Sequence, residues 1–222
     1  KLLNYLYHKL NQVAMQFKVC GITDLAQAVA LDEIKVNYIG FIFYAPSKRY
    51  VLNQLTLNQL SDFNPKHAKK VGVFVNEPLE QVMDIINKAK LDIVQLHGDE
   101  DAQYCATINQ IVPVVKVFRV GNCLPDFAAY DTATTYYLFD TDSALYGGTG
   151  QHFNWELIKN TDFNKPYFLS GGIGPNDVHG IEVMKKTKAG NCLLAIDINS
   201  QFETAPGIKN LEKIKTFIHA FI

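Results

Sequence analysis

A single closed (β/α)8 barrel is the fold this α/β sequence predicts. Two observations carry that prediction. Short β-rich apolar runs occur eight times, at 16–20 (QFKVC), 38–43 (YIGFIF), 70–75 (KVGVFV), 92–96 (DIVQL), 113–118 (PVVKVF), 135–139 (TYYLF), 166–169 (PYFL) and 193–198 (LLAIDI). Most of the intervals between them place apolar residues at helical spacing. Strands alternating with helices imply right-handed crossovers and a parallel sheet buried on both faces. Units averaging roughly 25 residues put the chain near the small end for an eight-unit barrel. An open doubly wound sheet is the competing arrangement.

Taken in order, the first run ends at Cys20-Gly21 and is followed by Leu25, Ala28, Val29 and Leu31. The second leads into a polar loop carrying Ser47, Lys48 and Arg49. The third stops at Asn76, before Leu79, Val82, Met83, Ile85 and Ile86. The fourth stops at His97-Gly98, before Ala102, Cys105, Ala106 and Ile108. Arg119 follows the fifth run and Asp140-Thr141 the sixth, and the helical signal is weakest on either side of that sixth run. Ser170-Gly171-Gly172 follow the seventh run and Asn199-Ser200 the eighth, which precedes Leu211, Ile214, Phe217 and Ile218. No Gly/Pro/Ser-rich linker interrupts the rhythm, so residues 16–222 are read as one domain. Residues 1–15 (KLLNYLYHKLNQVAM) space Leu2, Leu6 and Leu10 as one side of a helix but lack the basic start and cleavage site of a signal peptide. With a possible start at Met15, they are set apart as a short helical extension, a linker remnant or a docking helix.

Composition excludes several classes of function. The 222 residues are 48% hydrophobic and 19% charged with a net charge of -1, an ordinary profile for a soluble globular protein. No basic stripe suited to nucleic acid is present. Cys20, Cys105, Cys123 and Cys192 are widely separated, which argues against a disulfide framework or a structural zinc site. The longest apolar runs are far too short to cross a bilayer. The expectation is a reduced, cytoplasmic protein that binds no membrane.

In a parallel barrel, chemistry gathers at the carboxyl ends of the strands. Cys20 fits two readings there, a small core residue or a reactive thiol at a pocket mouth. Asp140 closes a buried strand, where a carboxylate serves as a functional group or as a helix cap. Arg49 is either a solvated loop residue or an anion receptor, and Gly171-Gly172 form either a tight turn or a cradle of backbone N–H groups. His97 has a side chain suited to proton transfer but no second ligand at metal spacing, so no metal is expected. The stretch GGTGQ at 147–151 lacks the endings of both nucleotide-binding loops. It is read as a flexible sixth loop, with Gly148 and Gly150 closing over substrate.

Together, "KVCGIT", "GFIFYAPSKRYV", "VGVFVN", "VQLHGDE", "FDT" followed by "GGTGQHFNW", "FLSGGIGPNDV" and "IDINSQFETAPGIK" resemble the phosphoribosylanthranilate isomerase family of tryptophan biosynthesis. The resemblance covers residue 16 to the carboxyl terminus. It implies a cofactor-free Amadori rearrangement of a phosphosugar, N-(5'-phosphoribosyl)anthranilate, with Cys20 as general base and Asp140 as general acid. By the same resemblance Arg49 binds the anthranilate carboxylate, His97 lines the pocket, and Gly171, Gly172, Asn199, Ser200 and Gln201 surround the phosphate. The chain would act as a monomer or homodimer. It departs from the usual pattern at Lys48, where proline is usual, at Gln151, where lysine is common, and at Gln201, where many relatives carry glycine. The histidine-pathway isomerase, expected to use aspartate in place of Cys20, and a non-catalytic ligand-binding barrel are the other readings.

Overall fold

Eight parallel strands close on themselves in sequence order. They are β1 (Gln16–Val19), β2 (Tyr38–Ile42), β3 (Lys69–Phe74), β4 (Ile93–Leu96), β5 (Val114–Val120), β6 (Tyr136–Thr141), β7 (Tyr167–Leu169) and β8 (Leu193–Ile198). The pairing of β8 with β1 completes the barrel, with Lys18 opposite Asp197 and Val19 opposite Ile198. This computed structural model describes residues 15–141 and 153–222. Residues 1–14, most of the proposed extension, and the sixth-loop residues Gly148, Gly150 and Gln151 lie outside the described residues.

Alternation along each strand sorts side chains into two cores. Tyr38, Val71, Ile93, Val115, Val117, Leu138, Phe168 and Ala195 point inward and fill the lower barrel. The outward set, including Phe17, Val19, Ile39, Phe41, Phe74, Val94 and Ile196, packs against the helices. These are α1 (Leu25–Glu33), α2 (Leu57–Asp62), α3 (Leu79–Ala89), α4 (Ala102–Asn109), α5 (Val178–Lys185) and α6 (Leu211–His219). Four start on side-chain caps: Asp24 accepts from Ala26 N, Thr56 from Gln59 N, Asp101 from Tyr104 N and Asn210 from Lys213 N.

Among the described residues, the β5–β6 and β6–β7 intervals hold only short 3-10 turns, Ala128–Tyr130 and Trp155–Leu157, where the sequence shows its weakest helical signal. An aromatic cluster covers the sheet there instead. Phe118, Phe127, Tyr137, Phe139, Phe163 and Tyr167 contact one another with ring centroids 4.9–6.3 Å apart. A hairpin that no apolar run announces follows β8, made of β9 (Glu203–Ala205) and β10 (Ile208–Lys209) and turning at Gly207 (φ +84°).

Candidate active site

The carboxyl ends of the strands carry a ring of polar side chains above the apolar floor. Cys20 follows β1 in the inward register of Lys18 and is only 5% exposed. Its backbone N–H donates to Ile198 O at 2.9 Å, while Gly40 O accepts from both Gly21 and Ile22, which ties the thiol's loop to β8 and β2. Burial pushes the Cys20 thiol above its ordinary range, Lys18 and Lys209 work against that, and Asp197 adds to it. Beneath the sulfur, Lys18 Nζ donates to Asp197 Oδ2 at 2.8 Å, and both side chains are sealed from solvent. Burial disfavours the Lys18 charge, but Asp197 and Cys20 outweigh it and hold the ammonium above its ordinary value.

Asp140 lies on the inward face of β6 and is 8% exposed. Its Oδ1 accepts from Thr141 N at 2.8 Å, and its Oδ2 sits 3.3 Å from His97 Nε2. His97 follows β4, with its Nδ1 3.5 Å from Gln95 Nε2. The buried carboxylate of Asp197 acts electrostatically on the Cys20 thiol, and that of Asp140 acts on Asp197. Gln95 Oε1 and Asp197 Oδ1 are buried without a hydrogen-bond partner.

Arg49 reaches the same rim from the loop after β2. Its Nε and Nη2 donate to Glu203 at 2.6–3.1 Å, a forked pairing that fixes the guanidinium plane. Glu203 also accepts from Lys209 Nζ at 2.6 Å, and that ammonium donates to Asn199 Oδ1 at 2.7 Å. Two basic side chains therefore share one carboxylate, and burial pulls the Lys209 ammonium below its ordinary value although Glu203 opposes this. Burial pushes the Glu203 carboxyl up, but the hydrogen bonds and charges of Arg49 and Lys209 prevail and hold it below the usual range. Gly21 (φ +77°) lets the rim close, because a Cβ there would lie 2.6 Å from Arg49 Cδ.

After β7, Gly171 and Gly172 adopt φ of +92° and +68°, a left-handed backbone that favours glycine. A side chain at Gly171 would collide with Thr141 Oγ1. Ser200–Phe202 form a short 3-10 turn after β8, with Gln201 facing Gly174. Gln201 O accepts from Lys213 Nζ at 2.6 Å, so the backbone at this departure from the family pattern is anchored. Lys48, the other described departure, is exposed.

Cys20, Asp140, His97, Arg49, Gly171, Gly172, Asn199, Ser200 and Gln201 thus share one end of the barrel, as the sequence reading requires. Lys18, Gln95, Asp197, Glu203 and Lys209 belong to the same ring and were not singled out. Lys18, Gln95 and Asp197 carried a signal: each is a polar residue in the inward register of an apolar run, two positions before a candidate site residue. Glu203 and Lys209 carried none, since only the hairpin turns them toward the rim. Two surface clefts, one lined by Lys69, Lys70, Lys90 and Asp92 and the other by Tyr50, Leu52, Glu80 and Ile85, contain none of the candidate catalytic residues.

A closed parallel barrel whose carboxyl end carries a buried cysteine, a buried aspartate and an arginine–lysine cluster is the architecture of a barrel enzyme. Residues 17–220 match the family model described as N-(5'phosphoribosyl)anthranilate (PRA) isomerase. The chain belongs to this isomerase family. It is 36% identical over 212 residues to the N-(5'-phosphoribosyl)anthranilate isomerase of Parabacteroides distasonis, covering 94% of each chain. Among solved structures it resembles phosphoribosyl anthranilate isomerase from Thermotoga maritima (TM-score 0.77, 34% identity, 93% of this chain and 98% of that one). It also resembles a phosphoribosyl anthranilate isomerase in complex with reduced 1-(o-carboxyphenylamino)-1-deoxyribulose 5-phosphate (TM-score 0.73, 31% identity, 93% and 97%).

Proposed function

We propose that this enzyme converts N-(5'-phosphoribosyl)anthranilate to 1-(o-carboxyphenylamino)-1-deoxyribulose 5-phosphate in tryptophan biosynthesis, with Cys20 as general base and Asp140 as general acid. The observation that carries the reading is that both side chains are buried in the inward register at the carboxyl end of one closed barrel, Cys20 just after β1 and Asp140 on β6.

Chemistry assigns the groups. Asp140 gives its proton to the ring oxygen as the C1'–O bond breaks, leaving an open-chain iminium. The Cys20 thiolate then takes the C2' proton, and the electron pair left behind neutralises the iminium as an enolamine. Tautomerisation moves a proton from the C2' hydroxyl to C1' and yields the ketone. Turnover leaves Cys20 protonated and Asp140 ionised, so one proton must return before the next cycle. Arg49 receives the anthranilate carboxylate, its plane set by Glu203. The Gly171-Gly172 nest and the Asn199–Gln201 turn receive the phosphate through backbone N–H groups. The relative solved with the reduced product analogue supports a ligand of this class.

Fluorescence of the anthranilate moiety gives the test. Cys20→Ala and Asp140→Asn are each expected to lower kcat by at least about 100-fold, within the range for losing a general acid or base. Full activity in Asp140→Asn would refute the acid assignment, and an inactive wild type would favour a binding barrel.

A further inference from the structure

Inside the barrel, the buried Lys18–Asp197 pair plays no part in the steps above. Lys18 is 1% exposed, its ammonium lies 2.8 Å from Asp197, and the two residues are direct partners across the β1–β8 junction. A buried ion pair contributes little to stability compared with apolar residues of the same volume. Cys20 stands two residues further along the inward face of β1, so the Lys18 charge lies on the same face as the thiol and acts on it. The other charges acting on the sulfur are Asp197 from β8, Lys209 from β10 and Arg49 from the second loop. Lys209 and Arg49 are held by Glu203 above the thiol.

We propose that Lys18 is a positioning residue for the general base: its ammonium, anchored by Asp197, supplies the fixed positive charge against which the Cys20 thiolate forms. This rests on the assignment of Cys20 as base. Asp197 sets where the ammonium sits, and the strand register sets its reach to the sulfur. An apolar floor in its place would leave the thiolate with no countercharge from below.

The experiment is a titration of thiolate ultraviolet absorbance, with the signal of Cys20→Ala subtracted to remove the other thiols and the tyrosines. In Lys18→Met the Cys20 midpoint is expected to rise by about 1–3 pH units, the span that loss of a close opposite charge produces. The double variant Lys18→Met/Asp197→Asn leaves no lone buried charge, so its fold is secure, and its midpoint is expected to rise by less. In both, kcat/KM at neutral pH falls and recovers as the pH is raised, while KM stays near the wild-type value. A Cys20 midpoint no higher than the wild type's in folded Lys18→Met, or no higher than that of Asp197→Asn in the folded double variant, overturns the proposal. A fully active Cys20→Ala would instead remove the base assignment while leaving the titration result standing, so the two failures are distinguishable.

Discussion

At the scale of single residues, close approach at the thiol is the feature most sensitive to change. Gly40 faces Cys20 across the β1–β2 pair, and a Cβ there would lie 2.9 Å from Cys20 Sγ and 3.0 Å from its Cα. Neither neighbour can yield without moving the base. Gly40→Ala is therefore expected to lower kcat by about 10–100-fold, the effect of a small misplacement of a reacting group, with stability reduced by about 1–3 kcal/mol from overpacking. Steady-state kinetics beside a denaturant melt separates the two. The base itself shows in the pH profile. Burial is the main cause that raises the Cys20 thiol, so the group is protonated and idle at low pH. Followed by thiolate absorbance with the Cys20→Ala signal subtracted, the Cys20 midpoint is expected on the alkaline side of the ordinary thiol value, about 8.5. A midpoint well below that value would show that burial does not govern the thiol.

Among elements, the helices at the amino-terminal end of the barrel depend on a cation remote from the chemistry. Lys70, at the start of β3, is buried and donates to Leu60 O at 2.8 Å and to Ala89 O at 2.9 Å. It thereby satisfies orphan carbonyls near the ends of both α2 and α3. Lys70→Met should leave two carbonyls without their donor and cost about 2–4 kcal/mol in chemical denaturation, with kcat/KM unchanged. Equal losses of stability and activity would show that the two ends of the barrel are coupled. The elements also explain which part of the rhythm was legible. α3 and α6 announce themselves by apolar residues three and four apart, because each lays one stripe on the sheet. Around β6 the cover comes from rings such as Phe127 and Phe163, contributed by irregular segments with no period to detect. α2 is only six residues long, too short to display a helical repeat.

For the whole molecule, two carboxylates link folding to acidity. Asp32, at the end of α1, accepts 2.8 Å hydrogen bonds from the backbone N–H groups of Lys66, His67 and Ala68, which pins the entry to β3. Burial raises its carboxyl, but these three donors outweigh that and hold it below the usual range, as Arg49 and Lys209 do for Glu203. Both groups stay ionised in the fold at acidities where the unfolded chain takes up protons. Their contribution to stability is complete above the ordinary carboxylate values, about 3.9–4.3, and is lost as the pH falls through the lower folded values. Asp32→Asn and Glu203→Gln should each lower stability near neutrality and flatten its acid decline, measured as unfolding free energy against pH. A decline as steep as that of the wild type in both variants would place the linkage elsewhere.

By itself the amino-acid sequence determined the number and order of the eight barrel strands and the polar residues that stand at the carboxyl end of each. Those properties follow from local pattern: a buried parallel strand must be apolar along its length, so the first polar residues beyond it mark the rim. Only the tertiary structure decided the partners. Lys18 and Asp197 are 179 positions apart, and nothing local says that their strands are neighbours until the sheet closes and brings the last beside the first. Arg49, Glu203 and Lys209 likewise meet because a hairpin after β8 folds back over the loop after β2. Charge acts through space and not along the chain, so the electrostatics of this site came into being with ring closure.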